Sequence, residues 1–368
     1  MKIAVLSSHT PSLFWFRMDM MQSFKALGHE VIAIGNESCD KWADMFNANG
    51  IKYIAADISR NGTNPLKDLK TLKSLRAILK QEKPDKLFTY QAKTVIYGGI
   101  AANMLGIKEV YPLIAGVGSV FLSNDIKSKI IRFILKTEYR YAMRKSPNVF
   151  FQNNDDVKVF CDNKITKSEK VVILNGSGVN LEKFTQKSLP NEPTFLCISR
   201  LIKDKGVYEY LQAARIVKDK YPQSRFLLVG PYDSNPSALK PEELQPYIDD
   251  GIVEYFGEAT DVRPYLEMCN TFVLPSYREG TPKTVLEAMA TGRAIITTDA
   301  TGCRETVVNG ENGYLVPIKD IGALSKAMVD LIENPDKISK MAECGLKIVK
   351  EKFDVNIVNN KINTTMKL

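Results

Sequence analysis

The sequence predicts an α/β fold built from two tandem Rossmann-like domains facing across a cleft. Three observations carry that expectation. The chain has 368 residues, more than one hydrophobic core ordinarily organises, so two domains are expected. Short β-branched runs alternate with helix-period patterns along the whole length, which is the signature of a parallel, doubly wound sheet. The alternation restarts after a glycine-rich turn, 175-NGSGVN-180, and a polar stretch, 182-EKFTQKSLPNEP-193, a composition that marks a boundary.

Taken in order, strands are expected at 2–6, 30–34, 51–55, 86–89, 109–114 and 148–151, in runs such as KIAVL and EVIAI. Helices fall between them, at 12–27 closed by Gly28, 64–81 with Pro65 in its first turn, 94–105 closed by Gly106, and 126–145. A short strand at 171–174 precedes the boundary. Beyond it come strands at 194–199, 225–230, 252–256, 271–275 and 294–298, with helices at 207–220 and 283–291 among the intervening segments. The expected domains are 1–180 and 181–350, followed by a C-terminal helix, 351–368, that crosses back to the first. In such sheets ligands bind beyond the carboxyl ends of the strands, so chemistry is sought in the loops that follow strands.

Composition excludes several classes. Hydrophobic residues make up 44% and charged residues 25%, as in ordinary globular proteins. No apolar run approaches the roughly 18 residues that span a bilayer, and the N-terminal run reads as a strand rather than a signal peptide, so a cytoplasmic chain is expected. Six scattered cysteines show no C-x-x-C pair, and only two histidines are present, His9 and His29. Zinc chemistry and a Ser-His-Asp triad therefore lack their residues. No G-x-G-x-x-G follows the first strand, where 7-SSHTPSLF-14 stands, which argues against a nicotinamide or flavin enzyme. No D-x-D occurs, so phosphates would be handled by the chain's own cations; neither metal nor cofactor is expected.

Net charge is +8, but it is unevenly spread: residues 1–180 hold 26 Lys and Arg against 16 Asp and Glu, the rest 24 against 26. A basic half suits a phosphorylated ligand or an anionic membrane. Nucleic acid is not expected, because no recognition motif or basic-aromatic interleaving accompanies the charge.

Three post-strand loops of the second half form a constellation. The first, 200-RLIKDKG-206, places Arg200 and Lys205 where a fork and a point charge can hold a diphosphate without metal, unless it is simply a solvated turn. In the second, 276-SYREGTPKTVLEAMATGRAI-295, Thr281 reads as a helix cap and Pro282 as the first-turn residue. Lys283, Thr284 and Val285 would then offer backbone N–H groups to an anion. Glu279 and Glu287 flank this helix start. Neither is expected to meet a protein cation, and carboxylates beside a phosphate serve better by accepting from hydroxyls, Glu287 from a ribose and Glu279 from a sugar ring.

The E-x₇-E spacing with S-x-R-E-G before it, R-L-x-x-x-K-G after the domain's first strand, and 302-GCRETVVNGENGYLVP-317 together resemble the family 4 glycosyltransferases of the GT-B fold, over essentially the whole chain. The runs 90-YQAKTVIYGGIAANMLG-106 and 116-GVGSVF-121 resemble the bacterial branch that builds capsule, O-antigen and lipid-linked oligosaccharides. The resemblance implies metal-independent, retaining transfer from a nucleotide sugar, usually a UDP-sugar, to a polyprenyl-diphosphate-linked saccharide. It implies that Arg200 and Lys205 hold the diphosphate with Gly280 and the Thr284 and Val285 backbone nearby. The loop 256-FGEAT-260, with Phe256 and Gly257, would receive the base. Glu279→Ala and Lys205→Ala are each expected to abolish transfer with the fold intact.

For the first domain the family's histidine near the donor sugar is missing, and Lys93 stands in the corresponding 91-QAK-93. Arg17, among Phe14, Trp15, Phe16 and Met18, either snorkels over a packed face or awaits an acceptor phosphate. Gly116 and Gly118 would let backbone approach a substrate. In 126–145, helical spacing predicts that Ile126, Ile130, Phe133, Ile134 and Tyr141 are mostly core, leaving Lys127, Lys129, Arg132, Lys136, Arg140, Arg144 and Lys145 as a basic face toward an anionic inner-membrane surface. A UDP-sugar epimerase or a non-catalytic binding protein of the same fold are the rival readings, separable by products formed without acceptor.

Overall fold

In the computed structural model the chain forms two compact units, Met1–Ser177 with Val358–Leu368, and Gly178–Ile357. The structure describes all residues except 60, 61, 63, 122–124, 234 and 236.

The first unit carries strands β1 (Lys2–Leu6), β2 (Glu30–Gly35), β3 (Lys52–Ala55), β4 (Lys86–Tyr90), β5 (Glu109–Ile114), β6 (Val149–Phe151) and β7 (Val171–Ile173). They lie in the order β3-β2-β1-β4-β5-β6-β7, every pair parallel. Helices α1 (Thr10–Ala26), α2 (Cys39–Asn47), α3 (Pro65–Glu82), α4 (Ala92–Leu105), α5 (Ile126–Met143) and α6 (Asn154–Asp162) are the crossovers. Local chemistry sets their ends. The His9 side chain caps α1 by accepting from the Ser12 N–H at 3.1 Å, and Asn64 caps α3 by accepting from the Leu66 N–H at 3.0 Å. Gly106, at φ +78°, ends α4.

Both faces of this sheet are covered, so its strands are apolar on both sides. Leu75 and Leu79 of α3, Val95 and Ala102 of α4 and Tyr139 of α5 pack one face. Leu13 and Phe24 of α1, Phe46 of α2, and Val358 and Ile362 of the C-terminal segment pack the other. Each such fully buried Leu, Val or Phe contributes about 1.5–3 kcal/mol.

The helix at 126–145 is where expectation and structure part. Tyr139, Ala142 and Met143 are its buried residues, whereas Ile126, Ile130, Phe133, Ile134 and Tyr141 are exposed. Two apolar sets share one helix, and the set nearer its C-terminus meets the core; periodicity alone does not rank two stripes on one cylinder. The Lys127 side chain lies outside the described residues.

The second unit carries β8 (Thr194–Ile198), α7 (Val207–Lys220), β9 (Arg225–Val229), α8 (Pro241–Asp249), β10 (Glu254–Tyr255), α9 (Arg263–Glu267), β11 (Thr271–Leu274), α10 (Lys283–Ala290), β12 (Ala294–Thr298) and β13 (Gly313–Val316). Helices α11 (Ile321–Glu333) and α12 (Pro335–Ile348) follow, and α13 (Val355–Met366) carries the chain into the first unit's C-terminal segment. The strand order is β10-β9-β8-β11-β12-β13, all parallel. The order reverses between β8 and β11, and α7 and α10 consequently pack on opposite faces. In open sheets of this kind ligands bind beyond the carboxyl ends of the strands at such a switch point. The strand expected at 252–256 shortens to an edge pair, and β13, hidden in 302–317, closes the other edge.

Candidate functional site

The loops after β8, β11 and β12 knit together at the carboxyl edge of the second sheet. After β8, the turn Lys203–Lys205 ends in Gly206 at φ +71°. A Cβ there would stand 2.1 Å from the Pro275 carbonyl oxygen, so only glycine lets this loop press against the end of β11. The Tyr277 N–H donates to the Asp204 carbonyl at 2.9 Å, and Ser276 Oγ lies 3.1 Å from the same oxygen. Gly206→Ala is therefore expected to cost about 2–4 kcal/mol, combining backbone strain with the clash. Denaturant unfolding measures it; a cost within error of zero would refute the close packing.

Lys205, fixed by this loop, donates from Nζ to Glu279 Oε1. The same oxygen accepts from Ser276 Oγ at 2.7 Å, and the Glu279 N–H donates to the Thr301 carbonyl at 2.8 Å. Behind it, Gly302 at φ +84° sits where a Cβ would be 2.2 Å from the Glu279 carbonyl oxygen and 2.6 Å from that of Gly280. The loop after β12 thus buttresses the loop after β11. Arg200 donates to Asp233 Oδ2 at 2.7 Å.

These contacts correct the expectation that the glutamates meet no protein cation. Glu279 meets Lys205, 74 residues away in sequence, because β8 and β11 are neighbours. Lys283 Nζ lies 3.9 Å from Glu287 Oε1 across one helical turn.

The helix start differs too. Pro282, at φ −71° and ψ 108°, is itself the cap residue and α10 begins at Lys283, so Thr281 does not cap it. The buried Thr281 Oγ1 has no hydrogen-bond partner among the described residues. The Val285 N–H donates to the Pro282 carbonyl at 3.1 Å, so of the backbone donors expected for an anion, Val285 is already engaged. Thr284, one residue earlier, keeps its place in the first turn.

Glu287 is 8% exposed. Burial pushes its carboxyl up to about 7, with Lys283 pulling down and Asp261 adding to the rise. Near neutrality it is poised between carboxylic acid and carboxylate. At the end of β10 the Phe256 N–H donates to the Leu228 carbonyl (3.0 Å) and the Gly257 carbonyl accepts from Gly230 (2.7 Å). The Phe256 ring, 38% exposed, packs against the Tyr265 ring with centroids 5.1 Å apart.

Among the described residues of this site no nucleophile stands out. Cys303, close to Glu279 and Lys205, has its thiol pushed up to about 12 by burial, so it stays protonated. What the arrangement supplies is cations, a helix start and hydroxyl acceptors, the parts needed to hold a diphosphate with sugars on either side.

In the first unit, the switch point between β1 and β4 carries a second polar knot that sequence reasoning did not single out. Gln91, a non-glycine residue at φ +71°, accepts on Oε1 from Ser7 Oγ, the Ser8 N–H and Ser8 Oγ at 3.0, 2.9 and 2.8 Å. Backbone strain of this kind concentrates at functional positions. Arg17 is 4% exposed, lies over the Tyr90 ring at 4.9 Å, and its Nε has no hydrogen-bond partner among the described residues. It does not snorkel to the surface. Lys93 pairs with Asp68 of α3 and lies 5.6 Å from the Tyr97 ring. Gly116 and Gly118 take φ +134° and +75°, and a Cβ at either would meet nothing within 4 Å among the described residues.

Residues 2–153 match the family described as Glycosyl transferase 4-like, and residues 192–334 that described as Glycosyl transferases group 1. The chain is 31% identical over 348 residues to the N,N'-diacetylbacillosaminyl-diphospho-undecaprenol alpha-1,3-N-acetylgalactosaminyltransferase of Campylobacter jejuni, covering 91% of this chain and 90% of that protein. It is 27% identical to the Escherichia coli UDP-Gal:alpha-D-GlcNAc-diphosphoundecaprenol alpha-1,3-galactosyltransferase, over 89% of this chain and 87% of that one. Among solved structures, the Thermosynechococcus elongatus sucrose-phosphate synthase superposes with a TM-score of 0.82 at 18% identity, covering 100% of this chain and 98% of that one. The Anabaena protein Alr3699/HepE, in complex with UDP and glucose, gives 0.77 at 18% identity over 100% and 99%.

Proposed function

The chain belongs to the family 4 glycosyltransferases of the GT-B fold, and from that premise we propose that it is a retaining enzyme moving a hexose or N-acetylhexosamine from a UDP-sugar to a polyprenyl-diphosphate-linked saccharide in surface polysaccharide synthesis. The observation that carries the donor half is the Lys205, Glu279 and Ser276 cluster at the second sheet's switch point, flanked by Arg200 and the α10 start. Without ligand each cation is held by a carboxylate. A diphosphate takes their place, and Glu279 then turns its oxygens to the transferred sugar's hydroxyls while Glu287 accepts from the ribose.

In the reaction the bond from the anomeric carbon to the diphosphate oxygen breaks as the acceptor hydroxyl attacks on the same face. The departing phosphate oxygen takes the hydroxyl's proton. Arg200, Lys205 and the first turn of α10 stabilise the charge that accumulates on the leaving group. A trapped glycosyl-enzyme adduct would sink this route. The names of the two curated relatives, both acting on diphospho-undecaprenol-linked sugars, support the acceptor class.

For the acceptor half, Arg17 is a buried guanidinium without a carboxylate among the described residues, an arrangement that is costly until an anion arrives. Its place beside Tyr90 at the end of β4 suits the acceptor's diphosphate. Arg17→Met is expected to raise KM for the lipid-linked acceptor about tenfold or more with donor KM unchanged; equal shifts in both would assign Arg17 to packing. An acceptor of this kind sits in a bilayer, so the enzyme works at the cytoplasmic face of the membrane, with the basic first domain toward its anionic lipids. A panel of nucleotide sugars with a polyprenyl-diphosphate-sugar acceptor, read by mass, tests the reading. A mass increase of one sugar on the acceptor supports it, whereas a free epimer formed without acceptor, or no turnover with any donor, overturns it.

A further inference from the structure

The outward face of α5 is apolar where a surface helix is ordinarily polar. Ile126, Ile130, Phe133 and Ile134 are 76%, 59%, 73% and 51% exposed. Their spacing puts them on one stripe, opposite the buried Tyr139 and Ala142. A contiguous exposed stripe of this size marks an interaction surface rather than scattered surface residues.

Charge says what covers it. Lys129, Arg140 and Arg144 are exposed on the same helix. At its C-terminal end, Arg140 and Arg144 line a cavity of about 460 Å³ together with Lys164, Lys167 and Lys170, over a floor that includes Met143 and Ile165. Arg140 donates to the Asn163 and Lys164 carbonyls at 2.7 and 2.8 Å, and Arg144 lies 4.3 Å over the Tyr141 ring. Neither meets a carboxylate among the described residues, and the acid paired with this rim is Glu169, 3.5 Å from Lys167. A second copy docking through the same patch would bring these cations face to face, which disfavours a symmetric dimer. An anionic bilayer satisfies both features, taking the apolar stripe below the headgroups and the cations among the phosphates.

We propose that α5 lies in the interfacial plane of an anionic bilayer, with Ile126, Ile130, Phe133 and Ile134 inserted and the Arg140–Arg144 cavity holding a lipid headgroup phosphate. This deepens the membrane-surface reading above and rests on it. The added content is that insertion by one helix face, rather than the domain's charge alone, makes the attachment.

The test is flotation of the full chain with vesicles of phosphatidylcholine, with and without phosphatidylglycerol. The wild type floats with the anionic vesicles, and Ile130→Ser combined with Phe133→Ser lowers its partition about 100-fold. Arg144→Glu combined with Lys167→Glu removes the preference for phosphatidylglycerol. Circular dichroism and unchanged transfer to a short-chain, water-soluble prenyl-diphosphate-linked sugar acceptor show that the variants are folded. Undiminished flotation of the Ser variant overturns the α5 assignment while leaving the membrane reading standing. Failure of the wild type to float with any vesicle overturns both, and a wild-type dimer that the Ser variant converts to monomer assigns the face to a second copy instead.

Discussion

Lys205→Ala is expected to lower kcat/KM for sugar transfer by about 10²–10³, the scale of removing one charged stabiliser of a developing oxyanion, the role proposed for this residue. It also costs stability. The Lys205 and Glu279 side chains are 22% and 13% exposed, so the pair is largely withdrawn from water. Without Lys205, Glu279 keeps the Ser276 hydroxyl but loses its cation, a loss of about 1–3 kcal/mol. The expectation of an intact fold is thus modified by the pairing: the variant folds, but with a lower denaturant midpoint. Lys205→Met with Glu279→Gln is less destabilising than Lys205→Ala, because no charge is left unpaired. Steady-state kinetics alongside urea unfolding read both effects. Wild-type kcat/KM in Lys205→Ala would remove the residue from the site, and additive stability losses in the double variant would deny the coupling.

The second large effect belongs to Glu287, and its direction follows from burial. The carboxyl is pushed from its ordinary 4.5 up to about 7, so between those values the folded chain binds more protons than the unfolded one. Stability therefore falls as pH rises through this window, and a penalty of about 3 kcal/mol is fully present above it. Glu287→Gln removes the slope, so the variant gains on the wild type from pH 5 to pH 8 in denaturant unfolding. A ribose whose hydroxyls donate to the carboxylate favours its ionised form. UDP binding near pH 7 then releases a proton from Glu287. Calorimetry in buffers of different ionisation enthalpy detects that release, after subtraction of the Glu287→Gln variant, which corrects for the nucleotide's own titration. No difference between the two proteins would refute the ribose assignment.

How much of this was legible beforehand varies by residue. The strands that fill both sheets read clearly because parallel strands buried on two faces are runs of Val, Ile, Leu and Phe. Helices α2, α6, α11 and α12 and strand β13 are absent from the sequence expectation. Three of these, α2, α6 and β13, are short, and segments of nine or four residues give too few turns or alternations for a period to register. Helices α11 and α12, of 13 and 14 residues, are long enough to register and are not assigned there. The Lys283 and Glu287 pair was written in the sequence at helical spacing, but reading Pro282 as helical drew attention to the cap instead.

By itself, the sequence determined the doubly wound architecture, the family, and the loops after strands to which donor binding is here proposed, because hydrophobic period and motif spacing are local properties of the chain. Only the tertiary structure decided which groups face each other. Lys205 reaches Glu279 because β8 and β11 are neighbours in the sheet, and Gly302 braces that loop from a third strand's end. Arg17 is a buried cation over Tyr90 because β4 pairs with β1 across the switch point. Which apolar stripe of α5 meets the core and which meets the outside was also a matter of packing, since both obey the same helical period and burial is settled by what lies beside the helix, not by its own order of residues.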